Sequence, residues 1–312
     1  MAKIDTYQQV TDRIVAALEE GTRPWHKQWV NGGAVMDPRR SNGERYRGIN
    51  VLLLWMSAAE RGFSGRSWFT FKQALDLGAN VRKGEKGTQI VFFKKLDIKE
   101  QNDAGEDVSR SVPMLKTYTV FNADQIENLP DRFRTAPVQI VGGKDRDEAC
   151  EAALRSSGAD IRETDHAQAY YAPGADFVNM PRFELFTSTS GFLATLAHEL
   201  CHWTGHTSRL DRAQLNEFGS KDYAFEELVA EIGAAMVGAR LGIFGEHIDN
   251  HAAYVESWLK ALRNDKRMIF KAATMAQAAA DLVLVNAGEL EAFEIEEEPE
   301  TIEQPEQLAL FA

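Results

Sequence analysis

The feature that most constrains how this 312-residue chain can fold is the segment Phe192 to Trp203, FLATLAHELCHW. Its apolar residues recur with a helical period, and inside that run His198 and His202 stand four positions apart, on one face of the helix the period predicts. Two imidazoles so placed can present their nitrogens to a single tetrahedral metal ion. Glu199, beside the first histidine, can then serve as a general base at the same point. The expected cofactor is one zinc ion, and the chemistry implied is hydrolysis of a peptide bond, with Glu199 as the proton acceptor and donor.

A third protein ligand is needed. The extended pattern HExxHxxGxxH would put a histidine at position 208, where Ser208 stands, while Gly205 and His206 are out of phase with it. His206 reads instead as part of the turn that ends the helix. The better source is the next helix, which carries Phe225-Glu226-Glu227-Leu228-Val229-Ala230-Glu231. In sites of the two-His-one-Glu type the glutamate comes from such a helix, and an acidic residue one turn later orients a ligand histidine. Glu227 is the expected ligand, Glu231 the orienting residue and Glu226 the fallback ligand. Leu228, Val229, Ile232 and Ala235 mark this helix as packed, so an inward glutamate there needs a partner. The same ligand set can also hold a metal in a structural role.

Around this site the chain reads as α+β. Helices are expected at 5–20, 49–61, 71–77 and 146–156, and four long ones at 190–203, 224–241, 251–262 and 266–285. Thr88 to Leu96 and Met114 to Asn122, rich in β-branched and aromatic residues, predict a hairpin joined by a long polar loop. Short strands are expected at 168–172 and 176–180. Pro130 and Pro137 bracket a polar stretch, which places a domain boundary near residue 135. Three parts result: an N-terminal domain over 1–134, a zincin-like gluzincin-type domain over 135–288, and a disordered acidic tail over 289–312.

No stretch of 18 or more apolar residues occurs, and the N-terminal segment lacks the form of a secretory signal, so no membrane partner is expected. Two cysteines, one of them inside the metal motif, are too few for a disulfide framework, and the expected compartment is a reducing bacterial cytoplasm. The net charge of −12 is unevenly spread: residues 1–134 carry +4, residues 135–288 carry −7, and residues 289–312 carry −9. Only the first part is suited to meet a polyanion.

That part also carries the matching side chains. Arg39, Arg40, Arg45 and Arg47 surround Tyr46 in a turn-rich loop, Trp25 and Trp29 lie in a basic context, and Lys72, Arg82, Lys83 and Lys86 follow. Cations along a phosphate backbone with rings on which bases stack are how single-stranded nucleic acid is gripped without sequence preference. Single-stranded nucleic acid is the expected partner, although Trp55, inside INVLLLW, reads as core. At the other end, QPEQLALFA closes the chain. Gln307, Leu308, Leu310 and Phe311 look like the short peptide by which bacterial replication proteins dock on the sliding clamp, a flexible tether supplying effective concentration.

Several strings together are similar to one family: YQQVTDRIVAALEEGTRPWHKQW, RYRGINVLLLW, TFKQALDLGANVRKGEKG, HELCHWTGHTSRLDR and EELVAE. They resemble the plasmid antirestriction family ArdC and the related N-terminal region of TraC-type plasmid primases. The resemblance implies an N-terminal domain that binds single-stranded DNA, a zincin-like metallopeptidase domain, and protection of incoming plasmid DNA from host restriction, acting in a conjugation recipient. Two other readings stand beside it. One is a zinc peptidase brought to a protein substrate by its DNA-binding half; the other is a non-enzymatic replication or conjugation accessory with a structural metal.

Overall fold

The computed structural model describes residues 5–25, 37–101, 107–133, 145, 147–212, 221–243 and 252–291. The N-terminal half contains α1 (Thr6–Glu19), α2 (Ile49–Arg61), β1 (Trp68–Phe69), α3 (Phe71–Asp76), β2 (Asn80–Val81), β3 (Thr88–Gln101), β4 (Asp107–Asn122) and β5 (Ile126–Glu127). The second half contains α4 (Glu148–Arg155), β6 (Asp160–Thr164), β7 (Tyr170–Ala172), β8 (Phe177–Pro181), α5 (Thr189–Trp203), α6 (Lys221–Leu241), α7 (Ala252–Asn264) and α8 (Met268–Asn286). The fold is α+β.

The helices begin and end where the chain supplies the chemistry. Asp5 caps α1 by accepting the Gln8 amide at 3.3 Å, and Val10, Ile14, Val15 and Leu18 form its buried stripe. A reciprocal capping box of Thr70 and Gln73 opens α3. Gly62 closes α2 in the left-handed conformation, φ 71°, which a side chain would resist.

β3 and β4 form an antiparallel hairpin whose register runs without a break from Thr88–Val120 to Gln101–Asp107. The polar joining loop is therefore shorter than expected. Charged residues do not end a two-stranded ladder, because its hydrogen bonds are made by the backbone. β1 adds to β4, giving the order β1-β4-β3. In the second half, β8 lies between β6, which runs parallel to it, and the antiparallel edge strand β7. β6, DIRET, was not expected: too few of its residues are apolar to signal a strand.

One apolar cluster spans both halves, from Ile14, Leu52 and Trp68 through Leu196, Val237 and Ala276. A smaller one gathers Phe69, Ala74, Ala79, Ile126, Leu129 and Phe133. Between the halves, Tyr7 packs edge-on to Phe270 with centroids 4.7 Å apart. The Thr11 hydroxyl donates to the Lys266 carbonyl at 2.8 Å, and the Gly48 amide donates to Gln277 Oε1 at 3.0 Å. α8 is long and apolar enough to cross a membrane by composition, yet most of it is buried against the other helices of the protein. It is a core helix.

Candidate metal centre

α5 is buried on nearly every side, starting from the Ser188 cap, which accepts the Gly191 amide at 3.1 Å. One helical turn separates His198 from His202, and their rings meet edge to face with centroids 4.8 Å apart. α6 packs against α5 closely, and Gly233 permits the approach: a Cβ there would lie 2.9 Å from Cys201 Sγ. That contact brings Glu227 over the two imidazoles.

Three donor atoms converge. His198 Nε2 and His202 Nε2 are 3.1 Å apart, and the Glu227 oxygens lie 3.7 Å from the first and 3.6 Å from the second. Ligands bound at tetrahedral angles to zinc at about 2.0–2.1 Å sit roughly 3.3–3.4 Å from one another. The three donors fit that spacing with little movement, and their chemistry, two imidazoles and one carboxylate, suits a borderline-soft divalent ion. Glu199 is buried in the same centre, 3% exposed.

The electrostatics point the same way. Burial alone would lower the pKa of His198, but its hydrogen bond with Glu227 and the charges of Glu199, Glu227 and Glu231 push it up to about 9. Burial likewise opposes, and Glu227 first among its neighbours overcomes, in raising His202. Burial would raise Glu227, yet the charge of His202 and the bond with His198 hold it down at about 2. Both imidazoles are thus set among carboxylates that favour positive charge at this point. Cys201 is not among the converging donors; its sulfur packs against Gly233 of α6, and burial pushes the thiol up to about 12.

Glu226, the fallback ligand, is occupied elsewhere. Its Oε1 lies 3.3 Å from His202 Nδ1, behind the ligand ring. Arg212 grips both its oxygens, Nε at 3.0 Å and Nη2 at 2.8 Å. Arg212 also donates to the Cys201 carbonyl at 2.6 Å and to Thr204 Oγ1 at 2.9 Å. A carboxylate on the outer nitrogen of a ligand histidine fixes its tautomer and orientation. Glu231, one turn after Glu227, lies near the other ligand histidine, His198, on which its charge acts, and near Arg23; the pairing of Glu226 with His202 and Arg212 was not expected from the sequence. In the sequence Arg212 is one of two arginines, with Arg209, soon after the motif. His206 Nδ1 bonds the Ser208 hydroxyl at 2.8 Å, within the turn that follows α5.

The residues singled out for DNA divide into two sets. Trp25 is buried, 4% exposed, against Trp258, and burial of Tyr46 pushes its hydroxyl up to about 12. Neither ring offers a face on which a base could stack. Arg45 and Arg47 turn to Asp281 of α8, at 3.2 and 2.5 Å. Arg39 pairs with Asp37 at 2.8 Å, and Arg40 with Glu44 at 3.2 Å. Arg45 and Arg47 thus clasp the two halves, because the buried Asp281 carboxylate needs counter-charges, while Arg39 and Arg40 pair with neighbours in sequence. Lys72, Arg82, Lys83 and Lys86 are exposed, close in sequence to the exposed ring of Phe71. Trp29, Gln307, Leu308, Leu310 and Phe311 lie outside the described residues.

Fold and site together define a zincin-like metallopeptidase domain joined to a second, largely basic half. The family model of a zincin-like metallopeptidase matches residues 148–275, and that of the N-terminal domain of the anti-restriction factor ArdC matches residues 4–121. The chain is 49% identical to the antirestriction protein ArdC of plasmid R388, whose metal-free crystal structure superimposes with a TM-score of 0.81 over 92% of this chain and 100% of that one. Its Mn(II)-bound structure gives a TM-score of 0.76 over the same shares. The uncharacterized protein y4eC of Sinorhizobium fredii (strain NBRC 101917 / NGR234) is 38% identical over 283 residues, 89% of this chain and 91% of that protein. The chain belongs to the ArdC antirestriction family. It is also 40% identical over 294 residues to a DNA primase TraC of Escherichia coli, but spans just 27% of that protein's length.

Proposed function

We propose that the protein is an antirestriction factor that binds single-stranded DNA through its basic N-terminal half and protects incoming plasmid DNA from host restriction in a bacterial cytoplasm. We further propose that His198, His202 and Glu227 hold one divalent metal ion, zinc by the donor set. The observation that carries the metal reading is the convergence of two Nε2 atoms and one carboxylate, from two buried helices, at 3.1 to 3.7 Å. A bound ion supplies Lewis-acid polarisation of a carbonyl group. Glu199 holds the proton to be moved, Glu226 with Arg212 orients His202, and the buried walls keep bulk water out.

For DNA, the exposed set Lys72, Arg82, Lys83 and Lys86 with Phe71 is the surface that fits a strand. Support comes from the basic balance of residues 1–134 and from the family. A salt titration of binding tests it: tighter binding to single than to double strands, with a steep salt slope, is expected, and equal affinity without a slope would reject it.

A second reading, a peptidase directed to a protein substrate on DNA, is favoured by the position of Glu199 beside the ligands, where its charge acts on His198. Glu199→Gln separates the two. Restriction protection that survives this change would show that proteolysis is not the mechanism. Gln307, Leu308, Leu310 and Phe311 are proposed to dock on the sliding clamp; unchanged clamp binding after truncation at Glu306 would reject that.

A further inference from the structure

Residues 22–25 follow α1 and run to the metal centre. This short segment reaches α6 on either side of Glu227, once directly through Arg23 and once through Trp258 of α7. Arg23 Nη1 is buried and lies 3.5 Å from Glu231 Oε1, whose side chain is 2% exposed. Trp25 packs edge-on against Trp258 with ring centroids 5.8 Å apart, and Trp258 Nε1 donates to the Ala224 carbonyl at 2.7 Å. Ala224 and Glu231 stand about one helical turn before and after Glu227, so the segment braces the helix at both flanks of that ligand.

The charges around the two histidines explain why a cation should come from so far away in sequence. Glu199, Glu226, Glu227 and Glu231 are all buried in or beside the centre. Arg212 answers Glu226 from the loop after α5, and Arg23 answers Glu231 from the N-terminal half. We propose that Arg23 is a counter-charge lent to the metal centre by the N-terminal half: acting through Glu231, it carries part of the positive charge that a divalent ion would otherwise supply. This rests on the reading that the centre binds a divalent ion. Two cations that neutralise one cluster of carboxylates oppose each other, so Arg23 stabilises the metal-free centre and weakens metal binding. The centre is therefore built from both halves of the chain.

The test uses full-length protein: wild type, Arg23→Met and Arg23→Lys, each melted in chelator and in saturating Mn(II), with Mn(II) affinity measured by calorimetry. Arg23→Met is expected to lower the melting temperature more in chelator than in Mn(II), and to bind Mn(II) about tenfold more tightly. Arg23→Lys keeps the charge and is expected to restore the wild-type shift. In a Glu231→Gln background, Arg23→Met should no longer change the metal-induced shift, because the pair it acts through is gone. Equal lowering in chelator and in Mn(II), or unchanged or weaker Mn(II) affinity in Arg23→Met, would overturn the proposal and leave Arg23 a packing residue. If wild type itself shows no metal-induced shift, the metal reading fails and this inference fails with it.

Discussion

Arg212→Met should be among the most damaging single changes in the second half of the chain, and its size can be worked from two directions. The guanidinium is buried and makes four hydrogen bonds, two of them to Glu226. Removing one partner of a buried pair strands the other charge, at about 3–5 kcal/mol. The second route starts from Glu226 itself. Burial would raise its carboxyl, but hydrogen bonds with His202 and Arg212 hold it at about 2 against an ordinary 4.5, which corresponds to roughly 3 kcal/mol in favour of the folded, ionised state. Since His202 carries part of that, the second route gives somewhat less than the first, and the expected loss is about 2–3 kcal/mol. It is read by urea denaturation in chelator at neutral pH. Because the folded value lies below the unfolded one, the stability is fully present above about pH 4.5 and fades as pH falls toward 2; in Arg212→Met burial is left to raise the Glu226 carboxyl, so the deficit against wild type should be largest near neutral pH and shrink as acid protonates Glu226. Adding Glu226→Gln removes the stranded charge, so the double variant should be more stable than Arg212→Met alone. A loss under about 1 kcal/mol, or a double variant worse than the single, would refute the reasoning.

Other outcomes follow from the same contacts. Asp281→Asn leaves Arg45 and Arg47 without their carboxylate at the seam between the halves; a loss of about 3 kcal/mol is expected, and an unchanged melting temperature would show the clasp to be unimportant. Gly233→Ala drives a methyl to 2.9 Å from Cys201 Sγ and 3.3 Å from the Ala276 carbonyl, costing about 1–3 kcal/mol, and Cys201→Ala in the same chain should recover part of it in a urea titration. Lys83→Ala with Lys86→Ala should reduce the slope of log affinity against log salt for single-stranded DNA by about 1–2 without altering the fold; an identical slope would remove these residues from the interface.

How much of this could be read from the sequence depended on whether the physics was local. The helix of His198 and His202 announces itself, since period and motif coincide, and Glu227 follows from the next packed helix. α2 was expected over 49–61, its observed span, because Gly62 marks the end. What escaped was set by partners distant in sequence. Arg45, Tyr46 and Arg47 look like a DNA-contacting loop until Asp281, more than two hundred residues later, turns them inward. Trp25 is a candidate stacking ring until Trp258 covers it. Arg212 and Arg23 are ordinary arginines until the fold places them beside Glu226 and Glu231. Charge asymmetry along the chain located the basic half but not which of its cations were already committed to carboxylates of the other half.

His198, His202 and Glu227 are proposed to form one metal site. That assignment is tested most directly by stripping the protein with chelator, reloading it with zinc or Mn(II), removing excess ion and counting bound metal by elemental analysis, in wild type and in His198→Ala, His202→Ala and Glu227→Ala. One ion per wild-type chain, lost or bound far more weakly in each variant while Glu199→Gln retains it, is the expected result. Full loading of all three variants, or none of the wild type, would contradict it.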